Sequence, residues 1–162
     1  MIRALYAPHN WRYSSNDRFS SKRCFLQTAV VKWVRGEEFA ATLPSGNAVS
    51  FDGDRAHKGG GSPMEMLLAA LGACSSVDVV VILAKKRQQL VSLSVEVSGE
   101  RAAQPPMIWT KIDMLYRLSG KLEDKAVRDA IELSQTKYCS VAAMLGKAAK
   151  ISYRYEITPA EP

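Results

Sequence analysis

Residues 62–86 read SPMEMLLAALGACSSVDVVVILAKK, and the reading of this stretch decides the fold. Ser62 is a good N-cap, Pro63 suits the first helical position, and Glu65 stands where an S-x-x-E capping box needs it. From Met66 to Ala84 the run is apolar on every side of a helix, broken by Cys74, Ser75, Ser76 and Asp78. Lys85, Lys86 and Arg87 close it, cations at the end where the helix dipole favours them. A helix that is apolar all round either crosses a membrane or forms the centre of a globular core. Asp78 beside two serines, with amphipathic chain on both sides, points to the core. One domain of this size can hardly cover such a helix alone, so burial predicts a homodimer.

The flanks set the fold class. AVVKWVRG (29–36) alternates as a strand and ends on a turn signal. EEFAATLPSGNAVSFDG (37–53) gives two short strands around a Pro-Ser-Gly-Asn hairpin loop. DRAHKGGGSP (54–63) is a glycine-rich loop without GKS/T or GxGxxG, so slack ahead of the helix is preferred to a phosphate cradle. Beyond the helix, SLSVEVSGE (92–100) and MIWTKIDMLYRLSG (107–120) alternate on either side of a proline loop. Ile112, Met114, Tyr116 and Leu118 share one face of the second. KLEDKAVRDAIELSQTK (121–137) carries Val127, Ala130, Ile131 and Ser134 on one helical stripe. YCSVAAMLGKAAK (138–150) reads as a short helix from Cys139 or Ser140, and ISYRYEI (151–157) as a last strand. The expectation is an α+β fold, antiparallel sheets with a long central apolar helix. Residues 1–26 are expected as a poorly ordered N-terminal extension, 27–158 as a single domain and 159–162 as a C-terminal tail.

Composition narrows the function. The chain has 162 residues, 47% hydrophobic and 23% charged, enough for one ordinary core. The net charge of +6 is scattered, with no Lys/Arg run to bind nucleic acid. Three cysteines without a CxxC do not make a disulfide framework, and His9 and His57 lack further ligands for zinc. No metal, cofactor, membrane or nucleic-acid partner is expected. The N-terminus has no apolar run of signal length, which suits the cytoplasm. Cys24, in the extension, has no fixed geometry around it.

Cys74 and Cys139 are the chemical candidates. Cys74 lies mid-helix, where a thiol is often a small inert hydrophobe. Asp78, one turn on, disfavours a thiolate, so an activating cation must come from elsewhere. Cys139 stands at a helix start, where free N–H groups favour a thiolate. The two can meet only through the fold.

SPMEMLLAALGACSSVDVV, followed downstream by KYCSVAAML, resembles the OsmC/Ohr family of osmotically inducible and organic hydroperoxide resistance proteins. The resemblance covers about residues 27–157 and rests on a Pro, a Leu/Ala-rich helix with Cys74 eleven positions after Pro63, and a second helix-start cysteine. It implies an intertwined homodimer and a thiol peroxidase acting on organic hydroperoxides in stress and redox defence, with a dithiol reductant as co-substrate. By resemblance Cys74 is the peroxidatic cysteine and Cys139 the resolving one. The family's activating arginine lies in the first hairpin region; Arg35 is the nearest candidate, with Arg55 and Arg101 as outsiders.

Two positions depart from the pattern. Where peroxidase-competent members carry a Glu after the Pro, this chain has Met64. Glu65 does not substitute, because it falls about 180° around the helix from Cys74, against about 280° for Met64. Where the family often has Cys-Pro, this chain has Cys139-Ser140, and Ser140 can cap its helix instead. Both departures resemble the YhfA-like branch. The alternative function is a non-enzymatic dimer that binds a small apolar ligand at its interface.

Overall fold

The structure, a computed structural model, describes residues 26–159. Cys24, nearly all of the expected extension and most of the expected tail lie outside the described residues. Three strands come first: β1 (Val30–Arg35), β2 (Glu38–Thr42) and β3 (Ala48–Asp52). They form an antiparallel meander in the order β1-β2-β3, as the alternation and the hairpin signal predict. Gly46, at φ +86, supplies the left-handed residue of the β2–β3 turn, where Leu43 N–H donates to the Asn47 carbonyl at 2.8 Å.

The glycine loop is not slack. Asp52 is buried, and its carboxylate accepts from the backbone N–H of Asp54 and of Gly59, each at 2.9 Å. The Gly59 contact, followed by the Asp54 contact, holds that carboxyl below its ordinary range. Gly60 lies so close to β3 that a Cβ there would sit 2.5 Å from the Ser50 carbonyl oxygen. Glycine is required at that position because two backbones meet there, a constraint that composition alone does not reveal.

Helix α1 (Pro63–Lys85) starts as predicted. Glu65 N–H donates to Ser62 Oγ at 3.2 Å, and Ser62 N–H donates to Glu65 Oε2 at 2.7 Å. Trp109 Nε1 also donates to the Met64 carbonyl at 3.2 Å, pinning the first turn to the second sheet. One stripe of α1, Leu71, Ser75, Val79 and Leu83, is fully buried. Leu67, Ala70, Ala73, Val77, Val80 and Ala84, also at helical spacing, face outward in a single chain.

The second sheet contains β4 (Gln89–Arg101), β5 (Trp109–Lys121) and β6 (Lys150–Thr158) in that order. The β4–β5 pair is antiparallel as expected, but β6 joins β5 in parallel. The reason lies in the connection. Helix α2 (Asp124–Leu133), a π-helical turn (Ser134–Tyr138) and helix α3 (Ser140–Leu145) carry the chain back to the start of β5, the long crossover that parallel pairing needs. Ile112, Met114, Tyr116 and Leu118 point from β5 into the core with at most 1% exposure, facing the buried stripes of α1 and α2.

Candidate functional site

Cys74 is half-buried on α1, at the border between that helix's buried and outward-facing stripes. Cys139 is 2% exposed and is itself the N-cap of α3. Its Sγ accepts from Ala142 N–H at 3.4 Å, so the cap belongs to Cys139 and not to Ser140. The fold brings the two thiols to one region: Cys74 packs against the core cluster that holds Cys139, its thiol is near enough to raise that of Cys139, and both are free.

The Cys139 thiol does not rest as a thiolate. Burial first, and then the neighbouring Cys74 thiol, push it up to about 11, and the opposing N–H groups of Ala142 and Val141 do not offset that. The helix-start argument therefore identified a real interaction and misjudged its weight. A six-residue helix has a small dipole, and removing the sulfur from water dominates.

Beside the thiols lies a polar cluster in an otherwise apolar core. Ser75 Oγ contacts Tyr116 Oη at 2.5 Å and Ser134 Oγ at 2.9 Å. Ser134 Oγ donates to Asp78 Oδ2 at 3.0 Å. Gln135 Nε2 donates to Tyr116 Oη at 2.7 Å and to Ser75 Oγ at 3.1 Å. Ser75, Ser134 and Tyr116 are fully buried. Among the described residues no buried side-chain nitrogen or oxygen lacks a partner. Asp78 thus faces Ser134 as well as sharing a helical face with Cys74. Asp78 also lines a cavity of about 380 Å³ together with Val81, Ile82, Lys85, Lys86, Leu133 and Tyr138.

Two of the three candidate arginines, Arg35 and Arg101, are engaged by other partners within the chain. Arg35, exposed at the end of β1, donates through Nε to Glu38 at 3.1 Å. Arg101 donates to the Met107 carbonyl at 2.7 Å and lies over the Trp109 ring. Arg55 is exposed in the loop ahead of α1. Glu65 is committed to its cap, and Met64 contributes its carbonyl to Trp109.

Sequence reasoning did not find the cluster. Its signal was present: Ser134 completes an apolar stripe, and Tyr116 sits on an inward strand face. A polar group at a core position implies a partner. The π-helical turn had no such signal, because α2 and the turn read as one continuous helix.

A sequence model of the OsmC-like protein family matches residues 55–154, which hold both cysteines and the whole polar cluster. The chain is 44% identical over 133 residues to Protein YhfA of Escherichia coli (strain K12), across 82% of this chain and 98% of that one. A solved structure of a hypothetical protein from Aquifex aeolicus VF5 superimposes with a TM-score of 0.77 at 31% identity, over 85% of this chain and 99% of that one. An organic hydroperoxide resistance protein OsmC from Legionella pneumophila shares the fold at a TM-score of 0.62 and 13% identity, over 83% of this chain and 98% of that one. Motif, element order, family match and structural likeness agree, and the chain belongs to the OsmC-like family.

Proposed function

We propose that this protein is a cytoplasmic thiol-dependent hydroperoxide reductase acting on organic peroxides. The observation that carries the reading is the proximity of Cys74, on the central helix, to Cys139, at the cap of α3. The name of the Legionella relative, an organic hydroperoxide resistance protein, supports the substrate class. Cys74 is the more exposed of the pair and takes the attacking role, while the buried Cys139 follows it.

The steps balance. The Cys74 thiol gives up its proton, the thiolate attacks the peroxide, an S–O bond forms, the O–O bond breaks, and the alkoxide takes that proton and leaves as the alcohol. Cys74 is then a sulfenic acid. The Cys139 sulfur attacks it, an S–S bond forms, the S–O bond breaks, and water leaves carrying the Cys139 proton. A dithiol reduces the disulfide and is itself oxidised to one. A high resting Cys139 suits this order, since a protonated thiol does not compete for peroxide.

The working unit is a homodimer in this proposal. The outward apolar stripe of α1 and the bare first sheet both need cover, and a second copy supplies it. Arg35, on that sheet, is then free to meet the partner's site once Glu38 releases it, which makes it the proposed activating cation.

The test is a thiol titration of reduced protein before and after one equivalent of cumene hydroperoxide, with peptide mapping. Fast loss of two thiols and a Cys74–Cys139 peptide is expected; thiols unchanged over minutes would reject the peroxidase. One observation favours a second reading. The amphipathic cavity beside Asp78 suits a small apolar ligand, with the cysteines idle. In that case ligand-induced thermal stabilisation survives Cys74→Ser.

A further inference from the structure

The polar cluster has a direction. A carboxylate at Asp78 only accepts, so Ser134 spends its hydroxyl proton there and accepts from Ser75. Ser75 in turn accepts from Tyr116, and Tyr116 accepts from the Gln135 amide, whose second proton goes to Ser75. This assignment uses each hydroxyl proton once, running from Gln135 through Tyr116, Ser75 and Ser134 to Asp78, and leaves the longer contacts of Tyr116 to Met114 Sδ at 3.8 Å and of Ser134 to the Ser75 carbonyl at 3.5 Å without a proton. A buried network satisfied in this way fixes the elements that carry it.

Three elements carry it: α1, β5 through Tyr116, and the π-helical turn; the first holds Cys74 and the last leads directly into Cys139. Ser75 is the residue after Cys74, and Asp78 lies one turn on. On the other side, the Cys139 N–H donates to the Ser134 carbonyl at 2.8 Å, the wide closing bond of the π-helical turn. Ser134 therefore holds α1 through its hydroxyl and Cys139 through its carbonyl. A π turn inside a helical segment is uncommon and needs a local cause. Here the cause is that Ser134 and Gln135 both reach Ser75 while the extra residue re-aims the chain into the Cys139 cap.

We propose that this network sets the distance between the thiols, with Ser134 as the positioning residue for closure of the Cys74–Cys139 disulfide. Ser134 touches neither peroxide nor sulfur through its side chain. It acts by keeping Cys139 in front of Cys74 during the lifetime of the sulfenic acid. The inference rests on the proposed pairing of the two cysteines, though not on reactivity toward peroxide.

The experiment separates the two. Wild type, Ser134→Ala, Gln135→Leu and Val127→Ala are equilibrated in reduced and oxidised glutathione, and the effective concentration of the thiol pair is measured. Val127→Ala opens the buried face of α2 without touching the network and controls for lost stability. Removing the hydrogen bonds of Ser134 to Ser75 and to a carboxylate is expected to lower the effective concentration about tenfold. Gln135→Leu, the milder variant should Ser134→Ala not fold, is expected to lower it less, and Val127→Ala to leave it near wild type. With cumene hydroperoxide, Ser134→Ala should lose its first thiol at the wild-type rate, yet yield more dimedone-trapped Cys74 sulfenic acid and less disulfide.

An unchanged effective concentration in folded Ser134→Ala or Gln135→Leu overturns the proposal, and so does an equal fall in Val127→Ala. A wild type that forms the disulfide with glutathione but ignores peroxide defeats the peroxidase reading and leaves this inference standing. A wild type that never forms the disulfide ends both.

Discussion

The two sheets of this molecule have the same number of strands and opposite surroundings. In the second, the inward face of β5 is sealed by α1 and α2, and Ile112, Met114 and Tyr116 have no measurable exposure. In the first, every residue of β1 is exposed, with Val31 at 59% and Trp33 at 69%. Ala41 and Asp52 are its buried members. The second sheet is stabilised by its own chain. The first holds together by hairpin hydrogen bonding and leaves large apolar groups in water, which is the usual mark of a surface awaiting a partner. Helix α1 lies on the divide, with one stripe in the core and another of the same chemistry facing out.

The sharpest way to break this comparison is to truncate one large ring on each side. Tyr116→Ala removes a buried ring and takes one hydrogen-bond partner each from Ser75 and Gln135. A loss of about 3–5 kcal/mol in urea unfolding is expected. Trp33→Ala should cost the isolated chain little and instead weaken dimerisation, read by sedimentation across a concentration series. Equal losses at both positions in monomeric protein would erase the distinction between the sheets.

A charge placed on the outward stripe of α1 tests the same division. Val77, 64% exposed in one chain, becomes a desolvated carboxylate in a dimer if replaced by Asp. Val77→Asp is expected to give a folded monomer with unchanged near-native circular dichroism. A persistent dimer would remove this stripe from the interface.

Smaller effects sharpen the picture at the ends of α1 and α3. Ser62→Ala removes one arm of the capping box and is expected to cost about 1 kcal/mol, seen as a lower urea midpoint with an unchanged slope. At Cys139 the folded state holds its proton up to about 11, above the ordinary thiol value of 9.0 from which it is raised. The unfolded chain thus loses that proton first as pH rises. The contribution is complete below about pH 9 and declines toward pH 11. Melting temperatures of wild type and Cys139→Ser should therefore converge over that window. A constant difference between them would show that Cys139 is not raised.

Much of the fold was legible because it depends on local patterns. Ser62, Pro63 and Glu65 specify a helix start by geometry that three residues can encode. The period of Ile112, Met114, Tyr116 and Leu118 names the inward face of β5, and the stripe through Val127 and Ile131 names that of α2. The sequence by itself also determined that α1 is apolar on too many sides for one domain, and that two cysteines stand in different local settings.

Only the tertiary structure decided the rest. Whether β6 runs parallel to β5 depends on where two intervening helices deliver the chain, and no residue of ISYRYEI records that. The Gly60 constraint exists because β3 passes beside it. The resting state of Cys139 is decided by burial and by a neighbour distant in the chain, which together outweigh the local dipole that sequence can see. Ser75, Tyr116, Ser134 and Gln135 are ordinary polar residues until the fold excludes water from them and leaves one another as partners. Local rules act over a turn of helix or a pair of strands, whereas desolvation and proximity are properties of the packed molecule.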